Sequence, residues 1–167
     1  MTNFAKKLET VANVVVIVVG ALVLVVLVQI YILPRFFKER TPQPLTVGSS
    51  LSLENVDWKK NRETLILALS TSCHFCSESA PFYRRLVNES QGKQFTIVAL
   101  LPESVEDGSR YLTNLNIPIR NVRQFAIKSI GVTGTPTLIL VNDEGKIKGV
   151  WVGRLQSDKE NEVLDRL

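Results

Sequence analysis

Residues 11 to 33 read VANVVVIVVGALVLVVLVQIYIL, and none of these 23 residues carries a charge. As a helix rising 1.5 Å per residue, the run measures about 34 Å, enough to cross a hydrocarbon core of about 30 Å. It is too long for an ordinary buried core helix. It is also too long for the apolar core of a cleaved signal peptide, and no small-x-small site follows it. Valine has only modest helix propensity in water, but in lipid the backbone must satisfy its hydrogen bonds internally. Pro34 ends the run, and Tyr31, Phe36 and Phe37 suit the membrane–water interface. The expectation is an uncleaved, single-pass transmembrane anchor over 11–33, preceded by a short tail over 1–10. The whole chain has 167 residues, which leaves room for one further domain and not two.

Charge is distributed in the same terms. The formal net charge is +4. Lys6, Lys7, Arg35, Lys38 and Arg40 flank the apolar run against Glu9 and Glu39 and account for +3 of it. The rest of the chain is close to neutral, which gives no support to nucleic-acid binding. The flanking charges are nearly balanced and lean slightly against a cytoplasmic N-terminus. The expectation of a cytoplasmic N-terminus and an exported domain, on the periplasmic side, rests instead on the thiol chemistry argued below. Residues 34–50 hold Pro34, Pro42, Pro44, Gly48, Ser49 and Ser50 and read as a tether.

From residue 51 to 167 the pattern alternates strand and helix. Thr64 to Ser70 (TLILALS) and Phe95 to Leu101 (FTIVALL) are continuous apolar runs, as buried central strands require. Ser77 to Ser90 reads as a helix with Phe82, Leu86 and Val87 on one side. Ser104 to Leu115 reads as a helix interrupted by Gly108. Val122 to Ile130 reads as a short helix capped by Gly131. Thr137 to Val141 (TLILV), the turn Asn142-Asp143-Glu144-Gly145 and Lys146 to Val152 form a β-hairpin. Asp158 to Leu167 closes the chain as a helix. A β-α-β half with parallel pairing followed by a hairpin and a helix is an α/β domain.

The chain has two cysteines, Cys73 and Cys76, in the motif Cys73-His74-Phe75-Cys76. Disulfide-stapled secreted domains carry more cysteines, spread more widely. Here both thiols follow a buried strand and open a helix. One helical turn brings the two sulfurs together. The unpaired N–H groups and positive dipole end of the helix favour thiolate over thiol, and the thiolate is the nucleophile. Cys73, nearer the helix start, is the expected attacking group, and Cys76 the resolving one. A protonated His74 would stabilise the Cys73 thiolate further and make the couple more oxidising, while an exposed bystander is an equally good reading of it. Phe75 offers an apolar surface to partners. A zinc site needs four ligands, and the only histidine lies inside the motif. No metal or bound organic cofactor is therefore expected beyond the redox-active cysteine pair. An inert structural disulfide is a poor alternative, since so short a loop adds little by chain entropy.

These features resemble the thioredoxin superfamily, in particular the membrane-anchored bacterial proteins related to TlpA and ResA. A buried strand leads into C-x-x-C, and Pro81 follows Cys76 by five residues. Residues 131–138 read GVTGTPTL, similar to the family loop that carries a cis-proline. Gly145 and Gly153 stand at the hairpin turn and after the last strand, and Thr46 to Leu53 (TVGSSLSL) resembles the redoxin lead-in. The resemblance implies a thioredoxin-like fold over about 46–165, a mixed sheet flanked by helices. It also implies that the Thr135–Pro136 bond is cis and lies against the cysteines, with the Thr135 backbone free to pair with an extended substrate. It further implies exchange with protein thiols and disulfides at the membrane surface, with a membrane or exported partner as electron donor or acceptor. The chain departs from the family at three places. Leu67 stands where many thioredoxins bury an aspartate, Ser79 where ResA-like members have a glutamate, and Ser72 where a tryptophan is common. No usual carboxylate is thus in place to deprotonate Cys76. Two other functions remain open on the residues alone. One is a peptide-binding or chaperone module of the same fold. The other is a thiol peroxidase, for which Thr71 would have to serve the attacking cysteine.

Overall fold

The computed structural model describes residues 2–32, 44–53, 56–60 and 62–166, with backbone alone for 2–12 and 32. It divides into two units, Met1–Arg40 and Thr41–Leu167. In the first, helix α1 (Thr2–Leu27) continues into a π-helical turn at Val28–Ile32. The helix thus extends back through the residues read as a tail, where no proline or glycine precedes Gly20 to stop it. The stretch Asn13–Tyr31 has mean hydropathy 3.0 and no buried residue, and by length and composition it suffices to cross a membrane. Pro34, Phe36, Phe37 and Pro42 lie outside the described residues.

The second unit is built on a five-stranded mixed sheet in the order β3-β2-β1-β4-β5. The strands are β1 (Glu63–Ala68), β2 (Phe95–Leu101), β3 (Val122–Gln124), β4 (Thr137–Asn142) and β5 (Ile147–Val152). β1 pairs in parallel with β2, Leu65 opposite Ile97, and antiparallel with β4, Leu65 opposite Leu140. β3 adds to β2 in parallel and β5 to β4 antiparallel. The apolar run of β1 fills two cores because successive side chains point to opposite faces. Leu65, Leu67 and Leu69 enter one core, with Cys76, Phe82, Tyr83, Leu86 and Leu112. Ile66 and Ala68 enter the other, with Leu51, Leu53, Ile127 and Val132. The first core is closed by helices α2 (His74–Glu78), α3 (Ala80–Glu89), α4 (Val105–Asn114) and α5 (Ser157–Asp165).

Four local expectations change. The helix expected over 77–90 starts earlier and is broken, as α2 and α3 with Ser79 between them. Pro81 has no N–H to continue the ladder, and its ring clashes with the preceding turn. The helix expected over 122–130 is strand β3 followed by a 3₁₀ turn at Ile127–Ile130. The exposed edge of β2 claims this segment: the Ala99 N–H donates to Asn121 O and the Phe125 N–H to Leu101 O. Three paired residues leave too little periodicity to read in advance. Gly131 does cap the turn, with φ 86°. Gly108 does not interrupt α4. A Cβ there would lie 3.1 Å from Val122 Cγ1 and 3.3 Å from Leu101 Cδ1, so glycine lets the helix press onto β2 and β3. Finally, the end of the expected tether is held by the sheet. The Gly48 N–H donates to Ile147 O (2.8 Å), the Ile147 N–H to Ser49 O (2.9 Å) and the Leu51 N–H to Gly145 O (2.8 Å). Backbone pairing of this kind covers the start of the edge strand β5.

Candidate active site

The loop after β1 delivers Cys73 to the start of α2, at the C-terminal end of the strand, where open α/β sheets assemble their sites. Cys73 is the N-cap of α2, with φ −85° and ψ 112°, and its sulfur accepts the Cys76 N–H at 3.3 Å. The Cys73 N–H donates to Ser70 O at 3.1 Å, closing a turn over residues 70–73. Cys73 is half-buried and Cys76 fully buried, both as free thiols. Pro136 is buried, and the Thr135–Pro136 peptide bond is cis. As a thiol, Cys73 donates to Thr135 O at 3.2 Å. The structure therefore brings together Cys73, Cys76, Thr135 and Pro136 from two segments, with 62 positions between the contacting Cys73 and Thr135.

The two thiols differ in acidity. Burial works against ionisation of Cys73, but hydrogen bonds with the side chains of Cys76 and Thr135 and from the N–H groups of Cys76 and Phe75 outweigh it. Its pKa lies below the ordinary cysteine value. The Cys76 thiol is pushed up to about 12, first by burial and then by hydrogen bonding to Cys73; an N–H from Ser70 offsets part of this. A helix N-terminus thus serves one sulfur, and the apolar core suppresses the other.

His74 does not turn toward the sulfurs. Its side chain is 80% exposed, and Nε2 lies 3.2 Å from Glu78 Oε1. The other oxygen of Glu78 accepts from Arg154 at 2.7 Å, so Glu78 is an exposed bridge between α2 and the segment after β5. It does not supply the carboxylate missing at Leu67 and Ser79. Phe75 stands 54% exposed beside Cys73. Thr71 spends its hydroxyl proton on Glu103, 2.9 Å away, and does not offer it to Cys73.

Three residues escape the sequence reading. Glu103, just past the end of β2, accepts hydrogen bonds from Ser70 and Thr71. Tyr83 is fully buried in the core that holds Cys76, with no partner for its hydroxyl among the described residues. Tyr111 shares a 3.1 Å hydrogen bond with Ser77. The one available signal was position: Glu103 lies two residues past the end of the strand adjacent to β1. Among the described residues no three His, Cys, Asp or Glu side chains group to hold a metal ion.

No family model matches the chain, and neither does any curated protein. Solved structures do. A thiol:disulfide interchange protein, DsbE, of Chlorobium tepidum is 18% identical, with 73% of this chain and 95% of that one covered at a TM-score of 0.56. The thioredoxin domain of a thiol-disulfide oxidoreductase from Bacteroides vulgatus is 21% identical over 73% and 97%, also at 0.56. StoA from Bacillus subtilis is 13% identical over 74% and 96%, at 0.54. At such identities the likeness establishes the fold, which is thioredoxin-like.

Proposed function

We propose that the chain is a membrane-anchored thiol–disulfide oxidoreductase, with Cys73 as nucleophile and Cys76 as resolving thiol. One observation carries this reading: two cysteines three residues apart, one held as an accessible, acidified thiol and the other buried and pushed up to about 12. The likeness to thiol:disulfide interchange proteins of the same fold supports it.

The Cys73 thiolate attacks one sulfur of a partner disulfide. A Cys73–partner bond forms, the partner's own bond breaks, and its second sulfur leaves as a thiolate that takes up a proton. Cys76 then loses its proton and attacks Cys73, releasing the partner as a dithiol and leaving a Cys73–Cys76 disulfide. Two electrons pass to the partner, and the reverse sequence oxidises one. When Cys73 ionises, it no longer donates to Thr135 O, and that carbonyl becomes free to pair with an extended partner segment. No bound cofactor enters this sequence. Burial and the hydrogen bond to Cys73 keep the Cys76 thiol protonated in the reduced pair. Thr71, committed to Glu103, weighs against a peroxidase role.

Residues 11–33 tether this chemistry to a bilayer, with a cytoplasmic N-terminus and the domain on the exported side, where disulfides persist. The partners are protein thiols and disulfides at that surface, replenished by a membrane or exported electron donor or acceptor. A reporter fused after Leu167 tests the topology. The chemistry is tested by Cys76→Ser in the full chain. This variant should accumulate Cys73-linked adducts that collapse on reduction and are absent from a Cys73→Ala, Cys76→Ser control. A folded, membrane-bound Cys76→Ser protein that traps nothing would sink the exchange reading in favour of a binding module.

A further inference from the structure

Building on that reading, we propose that Glu103 is a positioning residue for the cysteine pair, acting through the turn that carries Cys73. Its Oε1 accepts three hydrogen bonds at once: from Ser70 Oγ at 2.8 Å, Thr71 N–H at 3.0 Å and Thr71 Oγ1 at 2.9 Å. These donors lie 32 and 33 residues away in sequence, so the contact staples the loop after β1 to the loop after β2. A charged acceptor makes such bonds shorter and stronger than a neutral one.

Ser70 relays the staple to Cys73. Its hydroxyl is fixed by Glu103, and its carbonyl holds the Cys73 N–H at 3.1 Å. The Ser70 hydroxyl is shared further with Ser72 Oγ at 3.1 Å, so each residue between β1 and Cys73 after Leu69 is tied to the same carboxylate directly or through one hydroxyl. The geometry that lets Cys73 reach the Cys76 N–H therefore depends on a residue that touches neither sulfur. A second observation marks the site as more than a surface contact. Glu103 Oε2 is buried with no hydrogen-bond partner among the described residues. Burying half of a carboxylate unsatisfied is costly, so the three bonds on Oε1 must offset it.

Charge and position predict opposite signs. As a nearby negative charge, Glu103 would oppose the Cys73 thiolate, and removing it would lower the Cys73 pKa. As a staple, it holds the thiolate where N–H groups reach it, and removing it raises that pKa. The experiment uses the full chain in detergent. It measures the pH dependence of Cys73 alkylation by iodoacetamide, with the modified site located by mass spectrometry, in wild type, Glu103→Ala and Glu103→Gln. Glu103→Ala should alkylate more slowly at neutral pH by roughly three- to tenfold, the factor for a pKa rise of about half to one unit. Its reduction potential should become more negative. Glu103→Gln, which keeps an Oε1 acceptor without charge, should stay close to wild type. An alkylation profile for folded Glu103→Ala that is unchanged, or shifted to lower pH, overturns the proposal. Should Glu103→Ala fail to fold, the pair Ser70→Ala and Thr71→Val removes the donors instead, with the same expectation. A wild type in which Cys73 is no more reactive than an ordinary thiol would instead sink the oxidoreductase reading beneath it.

Discussion

Glu103 also has a pH signature of its own. Burial pushes its carboxyl up, but the bonds from Ser70 and Thr71 pull it below the ordinary glutamate value. A carboxylate whose folded pKa is depressed contributes stability above its unfolded pKa and loses it as pH falls through the folded value. Replacement by alanine should therefore cost about 1 kcal/mol at neutral pH, the net range for hydrogen bonds lost at a part-buried site. That difference from wild type should shrink as pH drops below about 4. Urea unfolding of the two proteins in parallel at several pH values checks it, and a difference constant down to pH 3 would assign the loss to packing. The cysteines invite the complementary view. Cys73 and Cys76 share one motif, yet hydrogen bonds around the first and burial of the second send their acidities in opposite directions.

At the level of helices and strands, α4 tests how the site is shaped. Gly108 is the point where α4 meets Leu101 and Val122, and Glu103 lies on the short connection between β2 and that helix. Gly108→Val inserts branched carbons where even a Cβ is only 3.1 Å from Val122 Cγ1. Overpacking of this kind should destabilise by about 1–3 kcal/mol despite the gain in helix propensity over glycine. A thermal melt of the variant reads it, and an unchanged or higher midpoint would mean that β3 yields easily. The α2–α3 break has a similar logic. Pro81 ends the first segment just beyond Cys76, so the motif sits on a short helix with Cys73 at its N-terminus.

For the chain as a whole, the proposed anchor has its own test. If residues 11–33 span a bilayer, Leu22→Arg places a charge near the middle of the run, at a cost of about 2.5–3.5 kcal/mol on insertion scales. The full-length variant should extract from membranes with alkaline carbonate where wild type does not. Equal retention would mean that something other than this run holds the protein.

What the sequence by itself determined is what repeats locally or is covalently adjacent. The apolar run is readable because its length and lack of charge are properties of consecutive residues. The strands β1, β2 and β4 are readable because both faces are buried, and the cysteine motif because its four residues form one turn. Tertiary structure alone decided the rest. Strand β3 exists because the edge of β2 was open to it, and a three-residue pairing has no pattern of its own. Residues 46–51 join the sheet because β5 presents an unpaired edge. His74 turned to Glu78, and Glu103 came to hold the cysteine turn from more than 30 residues away. Such contacts depend on which loops the sheet order brings side by side, and no local spacing encodes that.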